Sequence, residues 1–412
     1  MSDAGILIAG AGHAGGAAAA ALRQFGYKGP ITLIGDEPLL PYQRPPLSKA
    51  WLKGEATAES LALRPARFYT QQAIEIRLST TIAAIDRATH QVRLSDGTAI
   101  HYEKLILALG ARPRRLPLPG FELEGVLELR TAADADRLKS TIGPGKRIAI
   151  IGGGYIGLEA AASALALGAD AFVLEREPRL LARVASEPLS AFFHAAHTAK
   201  GVQIHLATQV TGLAGKAKGG KGAVQAVQLG DGTELPCDAA LVGVGAIPND
   251  EIATACGLEC SHGVVVDAQS RTTDPDIFAI GDLTNRPLPL YNRRIRLESV
   301  PNALEQARQA AAAITGRPAP SPEIPWFWSD QYDIKLQIAG LPFDVATLVI
   351  RGNPHTGTFA VFHLDAQSRV QCVESVNTPA EFMAGRQLIQ KRKQVDATAL
   401  ADLNTNLKDL AA

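Results

Sequence analysis

At 412 residues the chain exceeds what one ordinary hydrophobic core organises, so two or three domains are expected. Its 41 lysines and arginines balance 41 aspartates and glutamates, and a neutral chain of ordinary globular composition argues against both disorder and a nucleic-acid partner. The start MSDAGILIAGAG lacks a cationic leader, and no apolar run is long enough for a bilayer; a cytoplasmic protein with no membrane partner is expected.

The first elements read as a strand, GILIAG, a helix from about Gly15 to Phe25 and a second strand, ITLIGD. This βαβ opening requires a parallel sheet. Between the first strand and the helix lies Gly10-x-Gly12-x-x-Gly15, with His13 and Ala14 in the turn. In such a turn the first glycine makes the tight bend and the second lets the backbone approach a pyrophosphate. The third allows close helix–strand packing, and the phosphates rest on free N–H groups at the helix start. An acid is expected about twenty positions on, to accept from ribose hydroxyls; Asp36, followed by Glu37, stands there.

The proline-rich turn PYQRPPLSK (41–49) carries Arg44 and Lys49 and excludes helix. Next comes the strand in EKLILALGARPRRLPLPG (103–120), whose Gly/Pro-dense end suggests a domain boundary. A second βαβ block opens at Lys146. It repeats the glycine pattern as Gly152, Gly154 and Gly157, with Gly153, Tyr155 and Ile156 between them, and runs through ADAFVLER to the acid Glu175. A carboxylate there repels a 2′-phosphate and so favours NADH over NADPH, with Arg176 beside it acting in the opposite sense. The glycine-rich stretch 211–224 reads as a mobile, solvated hairpin tip, and DAALVGVGAIPN (238–249) as the strand closing this sheet.

Alternating patterns then return in GVVVD and in DIFAIGDLT (276–284), followed by a helix from about Pro301 to Ile314. In the Ile-Gly-Asp turn, Gly281 permits close approach and Asp282 offers an acceptor for a polyol chain. After the linker-like GRPAPSPEIP (316–325), strands IKLQIAG, TLVIRG, FAVFHL and RVQCVESVN suggest an antiparallel sheet, with one helix after Pro379. Cys237, Cys256, Cys260 and Cys372 form no C-x-x-C pair. Neither structural zinc, nor any other metal site, nor a dithiol relay is expected.

RPPLSKAWLKG, GGGYIGLEAAA, DIFAIGDLT, ESVPNALEQAR and PWFWSDQY together resemble the NADH-dependent ferredoxin reductases, within the flavoprotein pyridine-nucleotide oxidoreductases, over nearly the whole chain. The resemblance implies an α/β, glutathione-reductase-like architecture: two nested Rossmann-like dinucleotide-binding domains plus a C-terminal α+β domain. The implied ranges are 1–113 with 247–320 for FAD, 114–246 for NADH, and 321–412 for the last domain. It also implies FAD in the first cradle, held with Asp36, Arg44, Lys49, Ile82, Arg130, Gly281, Asp282, Val300 and Trp328. NADH takes the second, with Gly153, Tyr155, Ile156, Glu159, Glu175, Arg183, Gly243, Val244 and Gly245. One departure is Ala108-Leu109-Gly110 where the family has Ala-Thr-Gly; the lost hydroxyl removes a local hydrogen bond without abolishing FAD binding.

Because the flavin carries the chemistry, the protein must orient the nicotinamide against it and stabilise charge on the reduced ring. The helix starting near Val300 is a candidate for that stabilisation. Lys49 and Glu159 are paired near the nicotinamide by the resemblance and are the candidate catalytic residues; the alternative is a structural salt bridge. Trp326 and Trp328 are either core or, as in the family, near an exposed flavin edge.

Without a cysteine pair, electrons must leave the flavin directly, and a one-electron carrier, a 2Fe-2S ferredoxin, is the expected partner. The basic clusters Arg293, Arg294, Arg296 and Lys391, Arg392, Lys393 are either solvated faces or its docking surface. The expected function is an NADH:ferredoxin reductase, as a monomer or weak homodimer, feeding a haem-thiolate monooxygenase or a ring-hydroxylating dioxygenase. The rivals are a rubredoxin- or nitrite-reductase-linked reductase, and a redox-gated interaction protein like apoptosis-inducing factor.

Overall fold

The computed structural model describes residues 4–216 and 222–411. Contacts divide the chain into two compact units. The first combines the stretch up to Arg44 with Thr57–Arg112 and Ile247–Glu323; the second combines Pro45–Ala56, Pro113–Ala246 and the stretch from Ile324 onward. The short Pro45–Ala56 segment makes its contacts with the second unit, as does the C-terminal portion.

In the first unit the parallel strands run Ile74–Arg77, Ile31–Ile34, Gly5–Ala9 and Ala99–Leu107. Gly5–Ala9 is buried throughout, as a central strand covered on both faces must be. Ala99–Leu107 pairs at one end with the parallel strand Ile277–Ala279 and at the other with an antiparallel meander, Gln91–Leu94 and Ile82–Asp86. Helix His13–Gln24 is alanine-rich because it packs against a second alanine-rich helix, Val300–Thr315. Ala14, Ala18, Ala21, Ala303, Ala307 and Ala310 lie in one buried cluster with Ile6, Ile8 and Phe278.

The second unit holds a five-stranded parallel sheet in the order Gln203–His205, Asp170–Leu174, Arg147–Ile151, Ala239–Val242, Val126–Leu127. The run 238–249 does not close this sheet. Its pairing ends at Val242, the chain turns at Gly243–Gly245, where Gly245 adopts φ +102°, and Val126–Leu127 forms the edge beyond it. The stretch 211–224 is not simply a solvated tip: 211–216 and 223–224 belong to the paired strands Val210–Lys216 and Ala223–Leu229, with Leu213 and Val224 buried, in an antiparallel set completed by Glu234–Pro236, while 217–221 lie outside the described residues.

The C-terminal portion is an antiparallel sheet ordered Trp326–Gln331, Ile334–Gly340, Val370–Val376, Thr358–Asp365, Val345–Asn353, with helix Pro379–Lys391 packed on it through Phe382, Leu388 and Ile389. Among the described residues no helix is long and apolar enough to cross a membrane.

Candidate functional site: two matched cradles and a buried carboxylate

The two glycine turns are stereochemical copies. Gly10 and Gly152 have φ +110° and +108°, a region only glycine occupies without strain. A Cβ on Gly10 would sit 2.3 Å from the Ala108 carbonyl oxygen, and one on Gly152 would sit 2.5 Å from that of Gly243. Gly15 and Gly157 have no room either: a Cβ would lie 1.9 Å from the Gly10 oxygen and 2.4 Å from the Gly152 oxygen. The middle glycines differ. Gly154 has nothing within 4 Å of such a Cβ, and Gly12 has only an Arg44 nitrogen at 3.9 Å. Both are helix N-caps with no side-chain cap, so each helix start presents bare N–H groups to open space, as a pyrophosphate requires.

Around the first cradle, Glu37 accepts from Arg44 at 2.6 Å and from the Tyr42 hydroxyl at 2.6 Å, while Asp36 is exposed. The Gly281 N–H donates to Gln306 Oε1 at 2.8 Å, so the Ile-Gly-Asp turn is pinned from behind; a Cβ on Gly281 would lie 3.0 Å from that of Ala14 in the cradle helix. Val300 opens its helix, and there Pro301 has no N–H while that of Asn302 is held by Ser299 Oγ at 3.3 Å. Val300 therefore supplies the first-turn donor left for a ligand. Leu109, at the departure from the family pattern, uses its carbonyl to accept from Asn249 at 2.8 Å. Ile82 begins a strand of this unit.

His13, the first residue of the cradle helix, has a buried Nδ1 with no partner among the described residues, an atom that a bound phosphate group would satisfy. Burial first, and the Arg44 charge second, push its pKa down from 6.5 to about 4 against the pull of Asp282. The folded protein therefore keeps His13 neutral where the unfolded chain protonates it, so its contribution to stability is complete above pH 6.5 and is lost as pH falls toward 4. Replacing His13 by Gln is expected to flatten the acid limb of a melting-temperature-against-pH profile across that window; a parallel profile would refute it.

In the second cradle Glu175 accepts from Gly153 N–H at 2.7 Å through one oxygen and from Glu177 N–H at 2.9 Å through the other. The carboxylate is thus fixed at the strand end beside the glycine turn. Exposed Arg176 pairs with Glu177 at 3.1 Å. An Arg183 nitrogen approaches the Cβ position of Gly245, whose turn, with Val244, backs onto Gly152. Ile156 is 52% exposed on the helix start, and the Tyr155 ring packs on Phe327 at 4.7 Å.

Glu159 is buried, 6% exposed, and both of its oxygens are bonded. Its Oε2 meets Lys49 Nζ at 2.5 Å and accepts from Ser48 Oγ at 2.6 Å; its Oε1 accepts from Ser329 Oγ at 2.6 Å. Ser163 Oγ anchors the Ser48 carbonyl at 2.6 Å. The Pro45–Ala56 segment thus brings Lys49 to the second cradle helix. Arg130 stands just before helix Ala132–Thr141, its N–H donating to Asp134 at 3.1 Å.

Trp326 and Trp328 are both half-buried, with rings 5.4 Å apart. In the basic cluster of the first unit, Arg294 donates to the Val266 and Asn285 carbonyls and Arg296 pairs with Glu298, so both are engaged locally. The other cluster ends helix Pro379–Lys391, with Arg392 at φ +52°. Phe327 on Tyr155, Ser329 on Glu159, and Gln331 and His197 bonded in turn behind Ser329 carry no spacing signal; only the strand register and helix Glu187–Ala199 assemble them. Among the described residues no cluster of metal-ligating side chains occurs.

The pyridine nucleotide-disulphide oxidoreductase family matches residues 4–307, and a reductase C-terminal family matches 326–411. A probable ferredoxin reductase of Castellaniella defragrans is 51% identical, with 98% of each chain covered. The reductase in the covalent putidaredoxin reductase–putidaredoxin complex superposes with a TM-score of 0.95 at 41% identity, covering 100% of this chain and 98% of the other. The ferredoxin reductase for the CYP199A2 system of Rhodopseudomonas palustris gives 0.94 at 45%, covering 99% and 100%.

Proposed function

The chain belongs to the pyridine nucleotide-disulphide oxidoreductase family, and from that premise we propose that it is a ferredoxin reductase that takes hydride from NADH and passes single electrons to a 2Fe-2S ferredoxin. That ferredoxin then serves a haem-thiolate monooxygenase or a ring-hydroxylating dioxygenase. FAD and a nicotinamide dinucleotide are the cofactors of the family, and the residues fit them: two glycine turns of one geometry, open N–H groups at both helix starts, the Val300 donor and the unsatisfied His13 Nδ1. Bound FAD supplies the step from a two-electron donor to one-electron release. The protein binds and orients the partners on either side of that step.

The observation that carries the reading for NADH is the doubly anchored Glu175 carboxylate. Its remaining lone pairs accept from ribose hydroxyls, whereas a 2′-phosphate would be brought against a fixed negative charge. Arg176 does not offset this, because it is paired with Glu177. The first cradle then takes FAD, with Lys49 and Glu159 beside the nicotinamide.

Anaerobic titration with NADH and NADPH, followed by cytochrome c reduction with a panel of iron–sulfur proteins, tests this reading. NADH should reduce the flavin preferentially, and a 2Fe-2S ferredoxin should raise turnover in a manner suppressed by salt. Glu175→Ala should lower the NADH-over-NADPH ratio of kcat/KM by about tenfold or more. Equal use of NADPH by the unsubstituted protein, or turnover indifferent to every ferredoxin, would overturn it.

A further inference from the structure

Behind Glu159 a file of buried polar groups continues through the second unit. Ser329 Oγ, already donating to Glu159, accepts from Gln331 Nε2 at 3.1 Å. Gln331 Oε1 lies 2.7 Å from His197 Nε2, and His197 Nδ1 lies 3.0 Å from the Tyr332 hydroxyl. Ser329 and His197 are 0% exposed and Gln331 is 1% exposed. The links come from three elements: the Tyr155–Ala166 helix, the Trp326–Gln331 strand with its following turn, and the Glu187–Ala199 helix.

Each link passes on one donor. A serine has one hydroxyl proton, an amide donates only from its nitrogen, and a neutral imidazole carries a single N–H. Burial lowers the His197 pKa, so the ring is neutral and must choose a tautomer. Burial likewise pushes Tyr332 up to about 12, which keeps its hydroxyl proton in place. The file therefore has only two consistent polarities. With a carboxylate, an acceptor only, at the Glu159 end, every donor points toward it: Tyr332 to His197 Nδ1, His197 Nε2–H to Gln331, Gln331 to Ser329, Ser329 to Glu159. In the reverse polarity the Gln331 amide turns over, His197 carries its proton on Nδ1, and the Glu159 position must donate. The charged groups at the ends are Lys49 on Glu159 and Lys200, whose ammonium lies 5.6 Å from the Tyr332 ring centre.

We propose that Ser329, Gln331, His197 and Tyr332 are positioning residues, a one-directional hydrogen-bond chain that holds the Glu159 carboxylate on Lys49 and Ser48 for the reaction with NADH. The proposal rests on the reading that places Glu159 beside the nicotinamide. It gives a remote signature: the tautomer of His197 reports what stands at position 159. In Glu159→Gln, Lys49 and Ser48 demand an oxygen on their side, so the amide nitrogen faces Ser329 and donates. The file then reverses.

The test is ¹⁵N-histidine NMR of the FAD-loaded protein, with His197→Gln used to identify the resonance, alongside stopped-flow flavin reduction by NADH. The unsubstituted protein should show His197 protonated on Nε2, and Glu159→Gln should move the proton to Nδ1. In Ser329→Ala the same change at position 159 should no longer reach His197. Ser329→Ala should also slow flavin reduction by about tenfold, the worth of one charge-assisted hydrogen bond, and Ser329→Thr should restore it. A His197 tautomer indifferent to Glu159→Gln overturns the chain. So does an unchanged reduction rate in Ser329→Ala when Glu159→Gln is slow. If Glu159→Gln reduces its flavin at the normal rate, the placement of Glu159 beside the nicotinamide fails instead, and the tautomer still decides the chain.

Discussion

Replacing Gly157 by valine is expected to leave a yellow protein that no longer reacts with NADH. The Cβ of the new residue would lie 2.4 Å from the Gly152 carbonyl oxygen and 3.1 Å from Ile150 Cγ2, with two further methyl groups to place. The helix must lift from the strand, and its N–H groups leave the position a pyrophosphate needs. Overpacking of this kind costs about 1–3 kcal/mol, and with the turn displaced as well, kcat/KM for NADH should fall by about 100-fold or more. Bound flavin and its chemical reduction by dithionite should be unaffected. The counterpart, Gly15→Val, faces a tighter clash, 1.9 Å from the Gly10 oxygen, and should give a colourless chain. Flavin content by absorbance and anaerobic NADH titration read both variants. If Gly157→Val were colourless and Gly15→Val yellow, the two cradles would have to exchange ligands.

Arg286→Met should be the most destabilising substitution in the first unit outside its glycines. The Arg286 guanidinium, 5% exposed, grips Glu305 through two bonds of 2.8 and 3.1 Å and donates to Asn302 Oδ1 at 3.0 Å. Glu305 is further held by Gln309 at 3.0 Å and by the Glu323 N–H at 3.2 Å. Removing one ion of a buried pair strands the other, a loss of about 3–5 kcal/mol, or a melting temperature lower by roughly 10 °C for a unit of this size. Arg286→Met combined with Glu305→Leu removes both charges and should recover much of that loss. A calorimetric scan in which the single substitution costs less than the double one would contradict the account. Because Asn302 and Glu305 belong to the helix begun by Val300, the single variant should also release FAD more readily.

The cradles were legible from local spacing, because three glycines at fixed offsets between a strand and a helix have only one stereochemical use here. The C-terminal strands were legible from their alternation. The strands Ile82–Asp86 and Gln91–Leu94 and the edge Val126–Leu127 were not, since strands of two to five residues carry too few alternations to separate from loop. The reading of 238–249 as one closing strand failed at Gly243, where an apolar run continues through a turn that only the backbone conformation reveals. The pairing of Lys49 with Glu159 came from family resemblance, and nothing in their separation along the chain implies it. Ser329 and Gln331 are harder still. Whether they face the cradle helix or solvent depends on strand register, and a one-residue shift would bring exposed Asp330 to Glu159 in their place.

The chain passes between its two units five times, at Arg44, Ala56, Arg112, Ala246 and Glu323. This has a consequence for biogenesis. Synthesis runs from the N-terminus, and domains that are contiguous fold as they emerge. The first cradle cannot: its sheet lacks Ile277–Ala279, and its helix lacks the alanine-rich neighbour Val300–Thr315, until both have left the ribosome. The glycine turn that opens the chain therefore waits for residues more than two hundred and fifty positions away (about Ile277 onward) before it can close on a cofactor. The second cradle, whose parallel sheet lies wholly within 126–242, has all its strands available first. In a nascent chain, nicotinamide-site structure should precede flavin capture, the reverse of the order in which the two motifs are encoded.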